Sequence, residues 1–393
     1  MGIGRSRRIA LYYLLFYSTI AVWPPYFALY LHFRGLSPEA IGWLLAVYPA
    51  IGLFAQPLWG MINDRFHREW ITVVVSIIMA PAIAWWYGQV DVVWYPVVAM
   101  AMAFFQTAII PIADSMTVQA LGPHRYGEAR LFGSLGYALV VAAVGLLYHE
   151  YGISRFILFY LLASMLALVG ALQYPRPESR LTATATRPPW FAGIGRLFAQ
   201  PRFRLLLLFI LFISASQSIN GYFFVLYYRA GHHPLSWLGI LFAGGALSEI
   251  PIFYLSGRLI RRFGPARMLC LSGIIFALRW SIVALQPPTW GLVILQTLHG
   301  PSFGLGLASG INLAAEVSHA GNRVAAQALY SATSMGMAPL MGSVAGGYLL
   351  GWAGPQNLYW FNTAIALIGV LGIAFWVLRR ERNSRVPVAR HSP

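Results

Sequence analysis

Apolar runs of about 20 residues alternate along this chain with short polar breaks, and twelve are separable, near 9–33, 38–60, 69–88, 92–121, 127–148, 153–174, 203–229, 235–262, 265–285, 289–317, 322–350 and 355–378. Each is long enough to cross a hydrocarbon core of ~30 Å as a helix rising ~1.5 Å per residue. The pattern predicts an all-α membrane protein with twelve transmembrane helices. The longest polar stretch, 175–202, carries Arg176-Pro177-Glu178, Thr182-Ala183-Thr184-Ala185-Thr186 and Arg187-Pro188-Pro189. It reads as a linker between an N-terminal six-helix half at 1–174 and a C-terminal six-helix half at 203–378. Its Trp190–Phe198 segment reads either as a short amphipathic surface helix or as an unstructured connector. A basic tail occupies 379–393.

Composition sharpens this picture. Hydrophobic residues make up 59 % of the chain and charged residues 10 %, against roughly 25 % charged in a soluble domain, so a large soluble catalytic domain is excluded. All 27 basic residues are arginine, which removes Schiff-base chemistry and lysine-dependent phosphate loops. The lone Cys270 excludes an intramolecular disulfide.

The net charge of +16 is a matter of placement. With the N-terminus in the cytoplasm, 22 arginines fall on the internal side and only Arg34, Arg155 and Arg229 on the external side, while Arg130 and Arg279 lie within spans. The positive-inside rule therefore predicts both termini in the cytoplasm. The surplus charge is an orientation signal at the anionic leaflet, and nucleic acid is not an expected partner. Arg5, Arg7 and Arg8 imitate the start of a signal peptide, but the apolar run behind them is too long for one, and the first span reads as retained in a multi-pass cell-membrane protein.

The two halves echo each other after their second helices. Gly60-Met61-Ile62-Asn63-Asp64-Arg65-Phe66-His67-Arg68 matches Gly257-Arg258-Leu259-Ile260-Arg261-Arg262-Phe263-Gly264-Pro265-Ala266-Arg267 as a glycine followed by a cationic turn. Membrane anchoring accounts for the arginines. The acid Asp64 beside Arg65 adds a pairing available in only one of two bundle arrangements, which makes Asp64, Arg65 and Arg68 a candidate gate.

Asp114, Arg130, Glu249, Arg279 and His299 lie inside apolar spans, where an ionised side chain costs roughly 2.5–3.5 kcal/mol even on permissive scales. Asp114 and Arg130 both fall ~6–10 Å above the turn at Leu121 and can meet, either as a permanent packing salt bridge or as a solute site. With His299 neutral, the four charges sum to zero, so one added proton unbalances the interior until the site rearranges or an anion enters. His299 bonded to a backbone carbonyl and Glu249 as a packing partner of Arg279 are the structural alternatives. Among Tyr12, Tyr13, Tyr17, Trp23, Tyr26, Tyr30 and Tyr137, Tyr137 is placed two turns from Arg130 on the same face. Gly306-x-x-x-Gly310 and Gly342-x-x-x-Gly346 predict close helix approach. No HExxH, GxSxG or Walker pattern occurs, so no enzyme, metal or cofactor is expected.

The Gly60–Arg68 loop, together with twelve spans in two halves, resembles the major facilitator superfamily. Tyr126-Gly127-Glu128-Ala129-Arg130-Leu131-Phe132-Gly133-Ser134-Leu135-Gly136-Tyr137 and Gln296-Thr297-Leu298-His299 are similar to stretches of the lactose permease branch, especially its phenylpropionate permeases. The resemblance implies that Arg130 and Asp114 hold substrate and that Glu249, Arg279 and His299 handle a proton. Tyr137 and Asn220 complete the expected solute site. Gln296 and Ser302 replace the lysine and acid that flank the tenth-helix histidine in lactose permease, and Gln217 and Asn220 stand where its seventh helix carries acids. The implied function is a monomeric proton-coupled symporter importing an aromatic carboxylic acid by alternating access. A sugar or nucleoside symporter of the same fold is the alternative, and a membrane receptor or sensor without flux is the alternative of another class.

Overall fold

The computed structural model describes residues 2–176, 194–318 and 322–385. The chain runs through α1 (Gly2–Phe33), α2 (Pro38–Phe66), α3 (Glu69–Ala84), α4 (Tyr95–Leu121), α5 (Pro123–Tyr151) and α6 (Phe156–Gln173). After the short α7 (Ile194–Ala199) come α8 (Pro201–Ala230), α9 (Leu235–Phe263), α10 (Pro265–Ala284), α11 (Thr289–Gln296), α12 (Leu305–Val317), α13 (Arg323–Ser331) and α14 (Ala338–Arg385). Ten helices among the described residues are long and apolar enough to cross a membrane. Most of the expected linker and the end of the tail lie outside the described residues; α7 overlaps the end of the expected 190–198 segment and runs one residue past it.

The expected spans differ from the structure at three places, each with a local cause. The tenth is split into α11, a π-helical turn at Gly300–Gly304 and α12. Pro301 has no N–H to give the preceding turn, and the helix widens there. The last two spans run on as one helical stretch, widened to a π-helix at Ala332–Met337 and kinked where Gly354 takes φ 80° ahead of Pro355, a positive-φ stop followed by a helix-starting proline. The cationic loops are shorter than their motifs suggest. Gly60–Phe66 forms the last two turns of α2, and Gly257–Phe263 the last two of α9. The break after α2 is confined to His67, left-handed at φ 49°, and Arg68, because Asn63 is buried in hydrogen bonds to the Trp59 carbonyl and the Thr72 hydroxyl and holds the helix to its end.

α1 packs on α5 and α6, and α3 on α4, in one bundle; α8 packs on α14, and α10 on α12 and α14, in the other. The bundles meet where α5 lies on α9 and α2 on α14. Both contacts are backbone to backbone and lie toward the arginine-poor end. A Cβ on Gly145 would stand 2.8 Å from the Gly239 nitrogen, and one on Gly42 would stand 2.5 Å from the Ser343 carbonyl oxygen and 3.1 Å from the Gly347 Cα. The two GxxxG pairs serve within the second bundle instead. Gly306 faces Ser272, Gly310 faces Tyr330, and Gly342 and Gly346 face α8 at Ala215 and Phe223.

Candidate functional site

Two polar clusters sit in the helical interior, one in each bundle. In the first, the Tyr13 hydroxyl on α1 donates to Asp114 Oδ1 on α4 at 2.6 Å and lies 3.1 Å from Thr117 Oγ1, which itself lies 3.0 Å from the Tyr174 hydroxyl. Arg130 on α5 places its guanidinium 4.3 Å from the Tyr17 ring centre and 5.9 Å from that of Tyr13. Gly133, one turn along α5, makes the room: a Cβ there would lie 2.8 Å from the Tyr17 ring and 3.2 Å from Arg130 Nη1.

Asp114 and Arg130 therefore both neighbour Tyr13, but they do not form a direct ion pair. Among the described residues no carboxylate oxygen lies within 4 Å of the Arg130 nitrogens. Tyr13 touches both groups, giving its hydroxyl to the acid and its ring to the cation. The guanidinium is held by the Tyr17 and Tyr13 ring faces, and Tyr126 lies beside both it and Asp114.

In the second cluster, Glu249 on α9 meets His299 between α11 and α12, with Oε1 and Nε2 3.0 Å apart. Glycine and proline chemistry brings them together. Gly300 has no side chain, so the α9 backbone at Ser248 comes against it, and the Gly300 N–H donates to Ser248 Oγ at 2.8 Å. That contact sets Glu249, the next residue, opposite His299. His299 Nδ1 lies 3.3 Å from Arg279 Nη1, and the His299 ring stacks on Phe303 at 5.4 Å.

Arg279 is 2 % exposed. No carboxylate pairs with it among the described residues; its Nη1 donates to Ser302 Oγ at 2.8 Å and its Nη2 to Gln296 Oε1 at 3.0 Å, with the Trp280 ring 4.9 Å away. Gln296 and Ser302, noticed in the sequence only as replaced charges, are thus the groups that hold the buried cation. Their spacing of three residues on either side of His299 is the signal that marks them.

The remaining candidates fall in different places. Tyr137 is partly buried, packed against the first bundle's own hydrophobic cluster and the larger one that continues into the second bundle, within electrostatic reach of Glu249. Asn220 does not face an open site: its Oδ1 accepts from the Tyr359 hydroxyl at 2.8 Å and the residue is buried between α8 and α14. The residue three positions earlier, Gln217, lines a cavity instead. Asp64 is exposed and makes no ion pair among the described residues, Arg65 rests its guanidinium 5.7 Å from the Phe66 ring, and Arg68 precedes α3. The expected Asp64 latch is not formed in this arrangement.

Comparison with known proteins agrees with this architecture. The family described as the MFS_1 like family matches residues 6–361. The chain is 31 % identical to the maltose permease of Geobacillus stearothermophilus over 95 % of this chain and 94 % of that protein. It is 28 % identical to the probable 3-phenylpropionic acid transporter of Escherichia coli (strain K12) over 93 % of this chain and 97 % of that one. The crystal structure of the nucleoside transporter NupG superposes with a TM-score of 0.82 at 14 % identity, over 95 % of this chain and 98 % of that one.

Proposed function

Because this chain belongs to the MFS_1 like family, within the major facilitator superfamily of membrane transporters, we propose that it is a proton-coupled symporter importing a small organic solute by alternating access. It is a multi-pass membrane permease and not an enzyme. In the proposal, twelve spans form halves at 1–174 and 203–378, joined by a cytoplasmic linker at 175–202, with both termini in the cytoplasm and the protein acting as a monomer.

The observation that carries the proton is the chain of contacts Arg279, His299, Glu249. A guanidinium only donates, so His299 Nδ1 accepts and Nε2 bears the hydrogen given to Glu249. A second proton on the imidazole would set an N–H against the Arg279 N–H. The incoming proton therefore goes to the carboxylate, and neutral Glu249 leaves the interior with one uncompensated positive charge. An entering carboxylate at Arg130 offsets that charge, which ties proton and solute to one cycle. This favours an organic acid, with an aromatic acid suited to the Tyr13 and Tyr17 rings beside the guanidinium.

A second reading, a sugar or nucleoside symporter, is favoured by Asp114. Its carboxylate is bonded by a tyrosine hydroxyl and not consumed by Arg130, so it stands ready to accept from a solute hydroxyl. Uptake of labelled 3-phenylpropionate, maltose and uridine into proteoliposomes under imposed pH and voltage gradients tests both readings. Uphill accumulation of one solute that follows the pH gradient is the expected result. Accumulation blind to the pH gradient overturns the coupling.

A further inference from the structure

An open cavity of about 840 Å3 lies at the arginine-poor end, within the roughly 300–1,000 Å3 of small-ligand pockets. The first bundle forms one bank through α1, α2 and α5, and the second bundle forms the other through α8, α9 and α14. Tyr148 and His149 line it one turn of α5 beyond Gly145, and Leu235 one turn of α9 before Gly239, so it sits over the backbone contact that joins the bundles. Four of the chain's nine histidines line it, His32 and His149 on the first bank, His232 and His233 on the second, where Arg229 joins them. No acid does.

The turn that ends α8 builds the second bank. His232 takes the left-handed region at φ 56°, and His233 folds back until its N–H meets the Tyr228 carbonyl at 3.3 Å and its ring lies 4.8 Å from that of Tyr228. Thr289 Oγ1, 2.8 Å from His233 Nδ1, holds the ring there. The ionisable neighbours outside the walls do not cancel this charge. Glu39 on α2 turns to Gly351, Glu150 on α5 and Arg155 beyond it are exposed, Arg34 gives Nη1 to the Tyr87 carbonyl at 2.9 Å, and α14 carries no ionisable residue from 338 to 378. Among the described residues no three histidine, cysteine or acidic side chains converge as a metal site. The four histidines are therefore spread around the walls, where they suit an extended anion and not a metal ion.

We propose that this cavity binds an organic dianion, an apolar body with one anionic group toward each bank. Much of the wall between the cations is leucine, isoleucine, phenylalanine and proline, which suits the body. Histidine gains its charge as the pH falls through about 6.5, so the site strengthens in acid. Arg229 supplies the one charge that stays. A ligand that needs both banks favours the arrangement in which they are together.

The test is equilibrium dialysis of 1,5-naphthalenedisulfonate, a dianion at every pH used, against the purified full-length protein at fixed ionic strength, with 1-naphthalenesulfonate as the monoanion on the same ring. Saturable binding of the dianion is expected, about tenfold tighter at about pH 6 than at about pH 8 and tighter than the monoanion in acid, each exposed charge pair adding a small factor. His149→Gln and His232→Asn, exposed and one on each bank, should each weaken binding severalfold in acid and together remove most of the pH difference. Arg229→Gln should weaken it alike at both pH values. His124→Gln, exposed at the other end of α5, should change nothing. Gly145→Leu or Gly42→Leu, each a wedge at a backbone contact between the bundles, should weaken binding with every charge in place. No saturable binding, equal affinity for the two naphthalenes, or a pH difference left whole in the double histidine variant overturns the site, and binding unmoved by both glycine variants overturns the bridge between bundles. None of these readouts is transport. Their failure leaves the symport reading standing, and a protein that binds the dianion without proton-driven uptake would refute that reading alone.

Discussion

Arg279 Nη1 stands 3.3 Å from His299 Nδ1, and this one contact fixes which way a hydrogen points across the second bundle. Because the arginine can only donate, the imidazole must present a lone pair to it and an N–H to Glu249, 3.0 Å beyond. A histidine held between a buried cation and an acid has one tautomer available. The acid, and not the imidazole, is then the group with a free oxygen for a further proton.

From that geometry, Glu249→Gln should abolish solute accumulation driven by a pH gradient while leaving solute-for-solute exchange in place, since the amide imitates only the protonated acid. His299→Gln should displace the pH dependence of uptake more than it lowers maximal binding. Proteoliposome uptake with imposed gradients measures both. Uphill accumulation that survives in the double variant with an unchanged pH profile would place the proton elsewhere.

Arg130→Ala should weaken solute binding by about 10- to 100-fold, the loss of one or two charge-assisted hydrogen bonds, with the protein still inserted. Arg130→Lys should rescue little, because an ammonium offers neither the planar fork nor the face that rests on Tyr17. Asp114→Asn separates the two solute classes. A carboxylic acid should keep most of its affinity, whereas a sugar or nucleoside should lose a charged acceptor. Equilibrium binding on purified variants decides, and unaltered affinity in Arg130→Ala would remove that residue from the site.

Asn220 belongs to the packing between α8 and α14, so its replacement should act on stability. Asn220→Ala leaves the buried Tyr359 hydroxyl unpaired, a cost of about 1–3 kcal/mol, visible as a lower melting temperature with solute affinity intact. Adding Tyr359→Phe should recover part of the loss. A fall in affinity at unchanged melting temperature would instead return Asn220 to the solute site.

The apolar runs made the membrane class and most helices legible, because burial in lipid is written in composition alone. The ionisable residues inside those runs were legible for the same reason: each is expensive enough to need a neighbour. What the sequence left open was which neighbour. Asp114 and Arg130 meet through Tyr13, and Arg279 is held by the neutral Gln296 and Ser302, because hydrogen-bond partners are chosen by three-dimensional register, which spacing along one helix does not contain. The choice between Asn220 and Gln217 was hidden likewise, since three residues along a helix carry a side chain only about 60° from its starting direction and the burial of a single atom decides. The inter-bundle contacts were not marked in the sequence, as Gly42, Gly145 and Gly239 belong to no GxxxG pair and a glycine's partner across an interface is not written along its own helix.

Those glycines set the last expectation. Gly145 lies against Gly239 and Gly42 against the backbone at Ser343 and Gly347, so two backbone contacts, α5 on α9 and α2 on α14, hold the arginine-poor end shut. A larger side chain at either point cannot be absorbed by a flexible neighbour, because the obstacle is main chain. Gly145→Leu and Gly42→Leu should therefore hold the bundles apart at that end while sparing each bundle's own core. Gly60→Leu, with nothing within 4 Å of its new Cβ, is the control. In a Cys270→Ser background, a cysteine placed at Phe242, whose ring packs edge-on to Tyr26 across the interface, reports the opening. A membrane-impermeant maleimide applied to intact cells should label it slowly in the parent, several-fold faster in the Gly145 and Gly42 variants, and no faster with Gly60→Leu, and net uptake should fall in the first two. Because the reagent reaches only the outer face, faster labelling also places the arginine-poor end outside. Labelling unchanged in both variants would mean that this closure is not the barrier between the solute and the exterior.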